Sequence, residues 1–441
     1  MKIILRITLY VLLPALCFSQ IPDTLWARPV GGQNSDLGEC IQLTSDSCLI
    51  IGGHTQSYGP GGTNFYLIKM DVNGDTLWTR VHGTSDLDAC YDVLETWDRG
   101  FLMTGYSDTS LCLMKTDSLG YSEWTKLYAI GYDCVGYGAS RTSDNGYIIT
   151  GHCDGPMGGL YLLRTDSLGD TLWTGMYGYA SNDDWGTDVI EVSDGYVVVG
   201  TSLYTGADLY LLKTNFDGGQ QWEKWYGGNM HDMGYSIVPT YDNCYYVVGI
   251  YWTVTNDADA WVLKIDSDGD TLWTRTYGGY GVDYGIDILP VESDSGYIIT
   301  GETAIPSVPS DLYVLKCNSN GDSVWIRTYG GNSPEGPESM IKMFDGGLAI
   351  CGYTRGFGAG SYDVWVLRMD GEMGAAEGTF NPSPKQPAIS TIWAGPLIFP
   401  QYGNCMIYDI TGRLISSTNP PPGVYFIEYK SKITTKIIKV R

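Results

Sequence analysis

Three nearly identical hexapeptides, NGDTLW at residues 73–78, LGDTLW at 168–173 and DGDTLW at 268–273, recur along this chain of 441 residues. In each, the Asp and Gly favour a tight turn and the following Thr-Leu-Trp favours a strand. Weaker copies share the terminal tryptophan. The tryptophans mark seven copies, spaced 46 to 52 residues apart, at Trp26, Trp78, Trp124, Trp173, Trp222, Trp273 and Trp325.

Each copy contains four strand-like runs, which in the fifth copy read GYSIVPT, CYYVVGI, AWVLKID and DTLWTRTYG. Four short strands in a unit of this length are typical of a β-propeller blade, and the tryptophan is then a large plug that packs one blade on the next. The 58 Gly, 34 Tyr and 14 Trp residues suit a β protein with almost no helix. The pattern predicts an all-β fold, a seven-bladed β-propeller over residues 20–370.

The phase of the repeat predicts how the ring closes. The repeat region begins with a lone fourth strand, Thr24 to Val30, and its last copy stops at a third strand, Val364 to Asp370. Pairing the two runs would complete the last blade and remove an open sheet edge. We therefore expect Thr24–Val30 to be the outermost strand of the seventh blade.

The terminal segments and the net charge limit where the protein can be located and which partners it can bind. Residues 1–19 have the charged start, the short apolar run and the small residue near the cut of a secretory signal peptide. Residues 20–370 carry a formal charge of −29, which repels phosphate backbones and argues against nucleic acid. We expect an exported monomer, secreted or held at the outer cell surface.

Two resemblances refine this view. The segment GYIITGETAIPSVPSDLYVLKCNSNGDSVWIRTYGG, residues 296–331, resembles the repeat of bacterial secreted β-propellers. After a Gly, Ala, Pro and Ser-rich linker at 371–395, residues 396–441 resemble the C-terminal sorting domain of type IX secretion substrates, which implies a small β-sandwich-like domain and the outer-membrane secretion machinery as a partner. The residues that carry this second resemblance include Asp409, Gly412, Arg413, Gly423, Tyr425, Lys436 and Lys439.

One repeat position, at the start of the first strand, is acidic in six copies and is Cys134 in the third. Six carboxylates around one axis could bind Ca²⁺, or each could cap its own loop by accepting backbone N–H bonds. We favour capping and therefore expect no cofactor, with Ca²⁺ bound at these positions as the alternative. The six residues are Asp36, Asp88, Asp184, Asp232, Asp283 and Glu335.

Two further patterns predict structural contacts. Cys134 starts a first strand and Cys153 ends the second strand of the same blade, so a hairpin could join them in a disulfide. An aspartate recurs in the turn after every first strand, and a basic residue recurs near the end of every third strand. We expect these to form one ion pair in each blade.

The remaining sequence signal concerns the surface loops. Loops between the fourth and first strands and between the second and third strands lie on one face and differ between blades, with Trp185, Tyr251 and Trp252 as candidate ligand contacts. We expect a non-catalytic propeller that binds an extracellular protein or glycan through this face. The alternative is an extracellular enzyme, either glycan-cleaving or a quinoprotein-like oxidoreductase, but no catalytic motif distinguishes it.

Overall fold

The computed structural model describes residues 24–370 except 129–132, 155–157, 179–183, 204–205, 207, 229, 255–256 and 306–307, and four strands within 392–439. The chain divides into two compact units, Met1–Phe380 and Asn381–Arg441. All regular structure in these described ranges is β-strand, which confirms the expectation of almost no helix. Nothing described is a helix of the length and apolarity that a membrane span needs.

The first unit is built from blades of four antiparallel strands, and in blades 1 to 6 the strands pair in chain order. Blade 1 contains β2 (Asp36–Leu43), β3 (Leu49–Thr55), β4 (Asn64–Met70) and β5 (Thr76–His82). Blade 2 contains β6 (Asp88–Glu95), β7 (Phe101–Ser107), β8 (Ser110–Thr116) and β9 (Ser122–Tyr128). Blade 3 contains β10 (Cys134–Arg141), β11 (Tyr147–Cys153), β12 (Gly159–Thr165) and β13 (Thr171–Tyr177).

Blades 4 to 6 repeat this plan. Blade 4 contains β14 (Trp185–Val192), β15 (Gly195–Ser202), β16 (Asp208–Thr214) and β17 (Gln220–Tyr226). Blade 5 contains β18 (Met233–Pro239), β19 (Tyr245–Val254), β20 (Asp257–Ile265) and β21 (Thr271–Tyr277). Blade 6 contains β22 (Val282–Val291), β23 (Gly296–Ala304), β24 (Asp311–Cys317) and β25 (Ser323–Tyr329), and one parallel bridge joins Ala258 to Val282.

Blade 7 is assembled from both ends of the repeat region. It contains β26 (Glu335–Lys342), β27 (Leu348–Thr354), β28 (Asp363–Met369) and, on the outside, β1 (Thr24–Val30). β1 runs antiparallel to β28, with Ala27 opposite Leu367 and Val30 opposite Val364. The predicted closure by Thr24–Val30 is confirmed.

Hydrophobic packing between neighbouring blades holds the ring together. Seven clusters of buried apolar side chains each draw on two adjacent blades; one of them joins Ile41 and Leu49 of blade 1 to Ala349 and Val364 of blade 7. Burying such side chains is worth about 1.5–3 kcal/mol each, so the blade junctions carry most of the stabilisation of the fold.

The repeated tryptophan contributes to these junctions. The indole of Trp26 lies against Gly74 in the turn of the next blade, where a Cβ would come within 2.8 Å of the ring, and Gly74 has a φ of 84°. Only glycine allows both the close approach and the left-handed backbone. The indole N–H of Trp26 also donates to the carbonyl of Val72, at 3.0 Å. Four other copies place Trp78, Trp124, Trp173 and Trp222 against Gly120, Gly169, Gly218 and Gly269.

The predicted ion pairs form in every blade. In the five lysine pairs the Nζ lies 2.6–2.9 Å from the turn carboxylate, and Lys316 has almost no exposed surface. Each basic side chain therefore ties the third strand to the turn that follows the first. The seven pairs are Lys69–Asp46, Lys115–Asp98, Arg164–Asp144, Lys213–Asp194, Lys264–Asp242, Lys316–Asp294 and Arg368–Asp345.

The second unit has one four-stranded sheet in its described part. Its strands are β29 (Ile392–Trp393), β30 (Cys405–Asp409), β31 (Gly423–Tyr429) and β32 (Lys432–Lys439), in the order β29-β32-β31-β30. Gly412 and Arg413 of the predicted sorting motif lie outside the described residues, as do the signal peptide at 1–19 and most of the linker at 371–395. The sandwich-like fold and the sorting role of this unit stay predictions.

Candidate functional site

A β-bulge occurs at the same place in the first strand of all seven blades. The pairing with the second strand skips one residue in each, for example between Gly38 and Cys40 in β2 and between Gly186 and Asp188 in β14. A bulge re-aims the side chains beside it and strengthens the local twist. The skipped residues are Glu39, Tyr91, Tyr137, Thr187, Tyr235, Ile286 and Glu338.

All seven bulges line one cavity on the propeller axis. Its volume is about 850 Å³, and every residue that lines it belongs to the first strand of a blade. Three tyrosines on the bulges contribute to the wall, and the rings of Tyr91 and Tyr137 lie 5.1 Å apart. The cavity is therefore a shared product of the whole ring.

Three aspartates of the cavity wall connect neighbouring blades at every other junction. Their carboxylates accept backbone N–H bonds from the next blade: Asp92 from Ala139 at 2.8 Å, Asp188 from Ile237 at 3.0 Å, and Asp287 from Met340 at 2.7 Å. Each also accepts the N–H of the residue that follows it. These bonds join blades 2 to 3, 4 to 5 and 6 to 7, so the three aspartates have a structural role.

Two glutamates, Glu39 and Glu338, complete the acidic lining on the neighbouring blades 1 and 7. The Glu39 carboxylate lies 3.3 Å from Nδ1 of His54. No hydrogen bond to the Glu338 carboxyl group occurs among the described residues. Nearby, the hydroxyl of Tyr353 donates to Glu302 at 2.9 Å.

Burial within the cavity shifts the titration of these carboxyl groups. Desolvation raises the pKa of Glu39 to about 7, that of Asp92 to about 7 and that of Asp287 to about 6. It also raises the pKa of Asp188, and it raises the pKa of Glu338 well above the ordinary value, where the charges of Glu39 and Glu302 add to it. The axis therefore holds carboxyl groups that exchange protons near neutral pH.

The six acidic residues at the start of the first strand are not in this cavity. Each is almost fully buried and accepts hydrogen bonds from its own loops. Asp36 accepts the N–H of Gly32 at 2.7 Å and the hydroxyl of Ser57 at 2.7 Å, and Asp232 accepts the N–H of Gly228 at 2.7 Å. The bond from the backbone four residues earlier recurs at Asp88, Asp283 and Glu335. Asp184 accepts the N–H of Leu203 at 3.1 Å. This is the capping arrangement.

The three candidate aromatic contacts lie elsewhere than expected. Trp185 is half-buried and lines the axial cavity rather than a loop. The segment with Tyr251 and Trp252 is a strand extension, because β19 and β20 remain paired to Val254 and Asp257. The prediction that this segment is a loop was wrong, since the antiparallel pairing of the hairpin continues past the blade. Tyr251 packs on Trp261 with ring centroids 5.2 Å apart.

Cys134 and Cys153 are directly opposite in the β10–β11 ladder and form a disulfide, with their Cα atoms 4.1 Å apart. The cysteine that replaces the acidic residue in blade 3 thus fixes the same strand end by a covalent bond. Seven further cysteines of the first unit are free thiols, and five of them are buried.

The loop face also carries exposed apolar side chains, which the sequence analysis missed. Six of them lie on the loops of blades 5/6, 6, 7, 1 and 1/2, with exposed fractions from 42% to 75%. A repeat alignment could have found two of them, since Tyr58 and Phe357 occupy equivalent positions in Gly-rich loops of adjacent blades. The set is Tyr280, Ile305, Val308, Phe357, Tyr58 and Leu87.

Comparisons with known proteins bear on the fold. No protein-family model and no curated protein matches the chain. Among solved structures it is similar to the WD40 β-propeller domain of Doa1, with 13% identity and a TM-score of 0.51 over 79% of this chain and 96% of that one. It is also similar to BBS1N, solved in complex with ARL6DN, with 10% identity and a TM-score of 0.50 over 80% and 98%. Identities this low show the fold alone.

A quinohemoprotein alcohol dehydrogenase, ADHIIG from Pseudomonas putida HK5, matches with 10% identity and a TM-score of 0.46 over 84% of this chain and 79% of that one. That similarity is too weak to carry an argument about chemistry. The repeated four-stranded sheets and the two better matches define the class of the protein: the first unit is a β-propeller.

Proposed function

We propose that the protein is a non-catalytic binding propeller that holds a protein or glycan partner against its loop face. The observation that carries this proposal is the set of six exposed apolar side chains on that face, which we call the arc: Tyr280, Ile305, Val308, Phe357, Tyr58 and Leu87. Large apolar side chains exposed on one face of a folded domain can mark an interaction site. The fold supplies the rigid base that recognition loops need.

Packing beneath the two aromatic rings of blades 7 and 1 holds them in place. Phe357 stacks on Trp365 with ring centroids 6.0 Å apart, and Tyr58 lies 5.9 Å from Tyr66. The Tyr58 hydroxyl donates to the carbonyl of Gly31 at 3.0 Å. Both rings nevertheless remain 45% exposed. Rings fixed in this way can bind a partner at little cost in side-chain entropy.

Backbone hydrogen bonds anchor the loops of the arc to the first strand of the next blade. The N–H of Asp36 donates to Tyr362 at 2.8 Å, and the N–H of Asp88 donates to Thr63 at 2.9 Å. The N–H of Glu335 donates to Ser310 at 2.9 Å. These bonds connect loops of blades 6, 7 and 1 to the strands of the next blade. A partner would therefore meet loops that are anchored to the neighbouring blade.

The comparison with BBS1N supports a protein partner, because that propeller was solved in complex with ARL6DN. A glycan remains an equal candidate, because exposed tyrosine and phenylalanine rings also suit sugar faces. Delivery to the cell exterior is proposed on the sequence alone, from the signal-like residues 1–19 and the sorting-like residues 396–441. The outer-membrane secretion machinery would be the partner of the second unit.

A glycan array and a surface-protein interaction screen with the full exported chain test the proposal. A hit should be lost in the Tyr58→Ala/Phe357→Ala double variant. It should be kept in Leu119→Ala/Leu168→Ala, which removes two exposed side chains from turns at the other end of the strands. Binding that survives the first change, or that both changes reduce equally, would contradict the proposal.

A further inference from the structure

The axial cavity is a second candidate site, separate from the loop face. We propose that it binds an organic cation, an ammonium or guanidinium group, between the carboxyl groups of Glu39 and Glu338 and the tyrosine rings of the bulges. The site does not depend on the loop-face proposal, because the two sets of residues do not overlap.

The charge of the cavity is the first argument. Five carboxyl groups line it, and the only basic residue in the lining is Lys342. His54, beside Glu39, adds no firm positive charge, because burial lowers the pKa of its imidazole. The excess of acids leaves the axis complementary to a cation.

The second argument is that the acids differ in their contacts. Asp92, Asp188 and Asp287 accept backbone N–H bonds across blade junctions, as described above. The Glu338 carboxyl group has no hydrogen-bond donor among the described residues, although burial raises its pKa strongly. Glu338 lines the cavity and is partly exposed, so a ligand donor can reach its carboxyl group without displacing a protein partner.

The third argument separates an organic cation from a metal ion. No group of three or more His, Cys, Asp or Glu side chains in the described part of the chain is arranged to hold a metal ion. The cavity volume of about 850 Å³ falls in the range of small-molecule sites. Tyr91, Tyr137 and Tyr235 provide aromatic faces, which attract ammonium and guanidinium groups.

Binding should depend on pH, because a cation favours the ionised form of the carboxyl groups beside it. The titratable groups that surround Glu338 come from several blades. They are Glu39 on β2, Tyr235 on β18, Glu302 on β23, and Cys351 and Tyr353 on β27, and His54 on β3 lies beside Glu39. Burial raises the pKa values of the tyrosines and the thiol, so the carboxyl groups that line the cavity, including those of Glu39 and Asp92, are the groups whose charge a ligand can change between pH 6 and 8.

Calorimetric titration of the full chain with agmatine, which carries a guanidinium and an ammonium group, tests the site. We expect saturable binding that is about tenfold tighter at pH 8 than at pH 6, because a carboxyl group with a pKa near 7 must lose its proton. Protons should be released on binding, which repeating the titration in buffers of different ionisation enthalpy would detect. The uncharged analogue butylurea should give no binding.

Variants locate the site. Glu338→Gln and Glu39→Gln should each weaken agmatine binding at pH 8 at least tenfold, and Asp86→Asn, an exposed acid on the loop face, should leave it unchanged. A melting temperature of each variant at or above that of the parent shows that the loss is not unfolding. No saturable binding, equal binding in Glu338→Gln, or full displacement by millimolar CaCl₂ at constant ionic strength would each overturn the proposal.

Discussion

Thr24 in the first described strand pairs with Met369 in the last strand of the propeller. The two ends of the repeat region are thus joined by a hydrogen-bonded ladder, and the ring has no open edge at this junction. Removing residues 20–31 should expose β28 and reduce solubility or the cooperativity of unfolding. Melting curves of chains that begin at residue 20 and at residue 32 would check this; identical curves would refute it.

The disulfide should contribute measurably to stability. Cys134 and Cys153 are separated by 19 residues, and closing a loop of this length restricts the unfolded chain by about 3 kcal/mol. The Cys134→Ser/Cys153→Ser variant should lose stability of this order in urea unfolding. Cys48→Ser, which changes a free and half-exposed thiol, is the control and should differ little. Peptide mapping of the exported protein that finds both thiols free would contradict the pairing.

The ion pairs of the blades should contribute different amounts to the free energy of unfolding, depending on how deeply each pair is buried. Lys316 is 1% exposed and its partner Asp294 is largely shielded, whereas the Asp242 side chain of the Lys264 pair is 57% exposed. Asp294→Asn leaves a buried ammonium without a counter-charge and should cost about 3–5 kcal/mol. Asp242→Asn should cost about 1 kcal/mol or less. Urea unfolding of both variants would test this, and equal losses would contradict it.

The axial glutamates should make stability depend on pH. Burial raises the pKa of Glu39 to about 7 and raises that of Glu338 further, so the folded state holds these protons more tightly than the unfolded state. Their stabilising contribution is complete below the unfolded pKa, near 4.3, and is lost as pH rises toward and beyond 7. Glu338→Gln should therefore match the parent at pH 5 and exceed its melting temperature at pH 8. A lower melting temperature for this variant at pH 8 would refute the prediction.

The charge of −29 on residues 20–370 should make stability depend on salt. Because the six strand-start acids are already hydrogen-bonded within their loops, we expect NaCl at about 0.15 M, which shortens the Debye length to about 8 Å, to do most of what millimolar Ca²⁺ does. Melting temperatures with each salt, in the parent and in Asp232→Asn, separate screening from binding. A Ca²⁺-induced rise that persists in NaCl and disappears in Asp232→Asn would prove specific binding.

Much of the propeller could be predicted from the sequence, because its signals are local and repeated. Trp26, Gly74 and Asp46 recur in fixed relation to their strands, so turn geometry, blade packing and ion pairs followed from one repeat. The axial site could not be predicted from the repeat. Glu39 and Glu338 lie far apart in the chain, and only the bulges and the closed ring bring them to one cavity. The extension at Tyr251 was missed because strand length depends on pairing rather than on composition.

The strand ladder between β1 and β28 also sets the order in which the parts of the propeller can form. During synthesis β1 emerges first, yet the strand that it pairs with, β28, is the last strand of the propeller to be made. The blades in between can pair internally as they appear, while closure waits for β28. Moving residues 20–31 to follow Asp370 would make the seventh blade continuous in sequence. Such a circular permutant should reach the same ring without this delay.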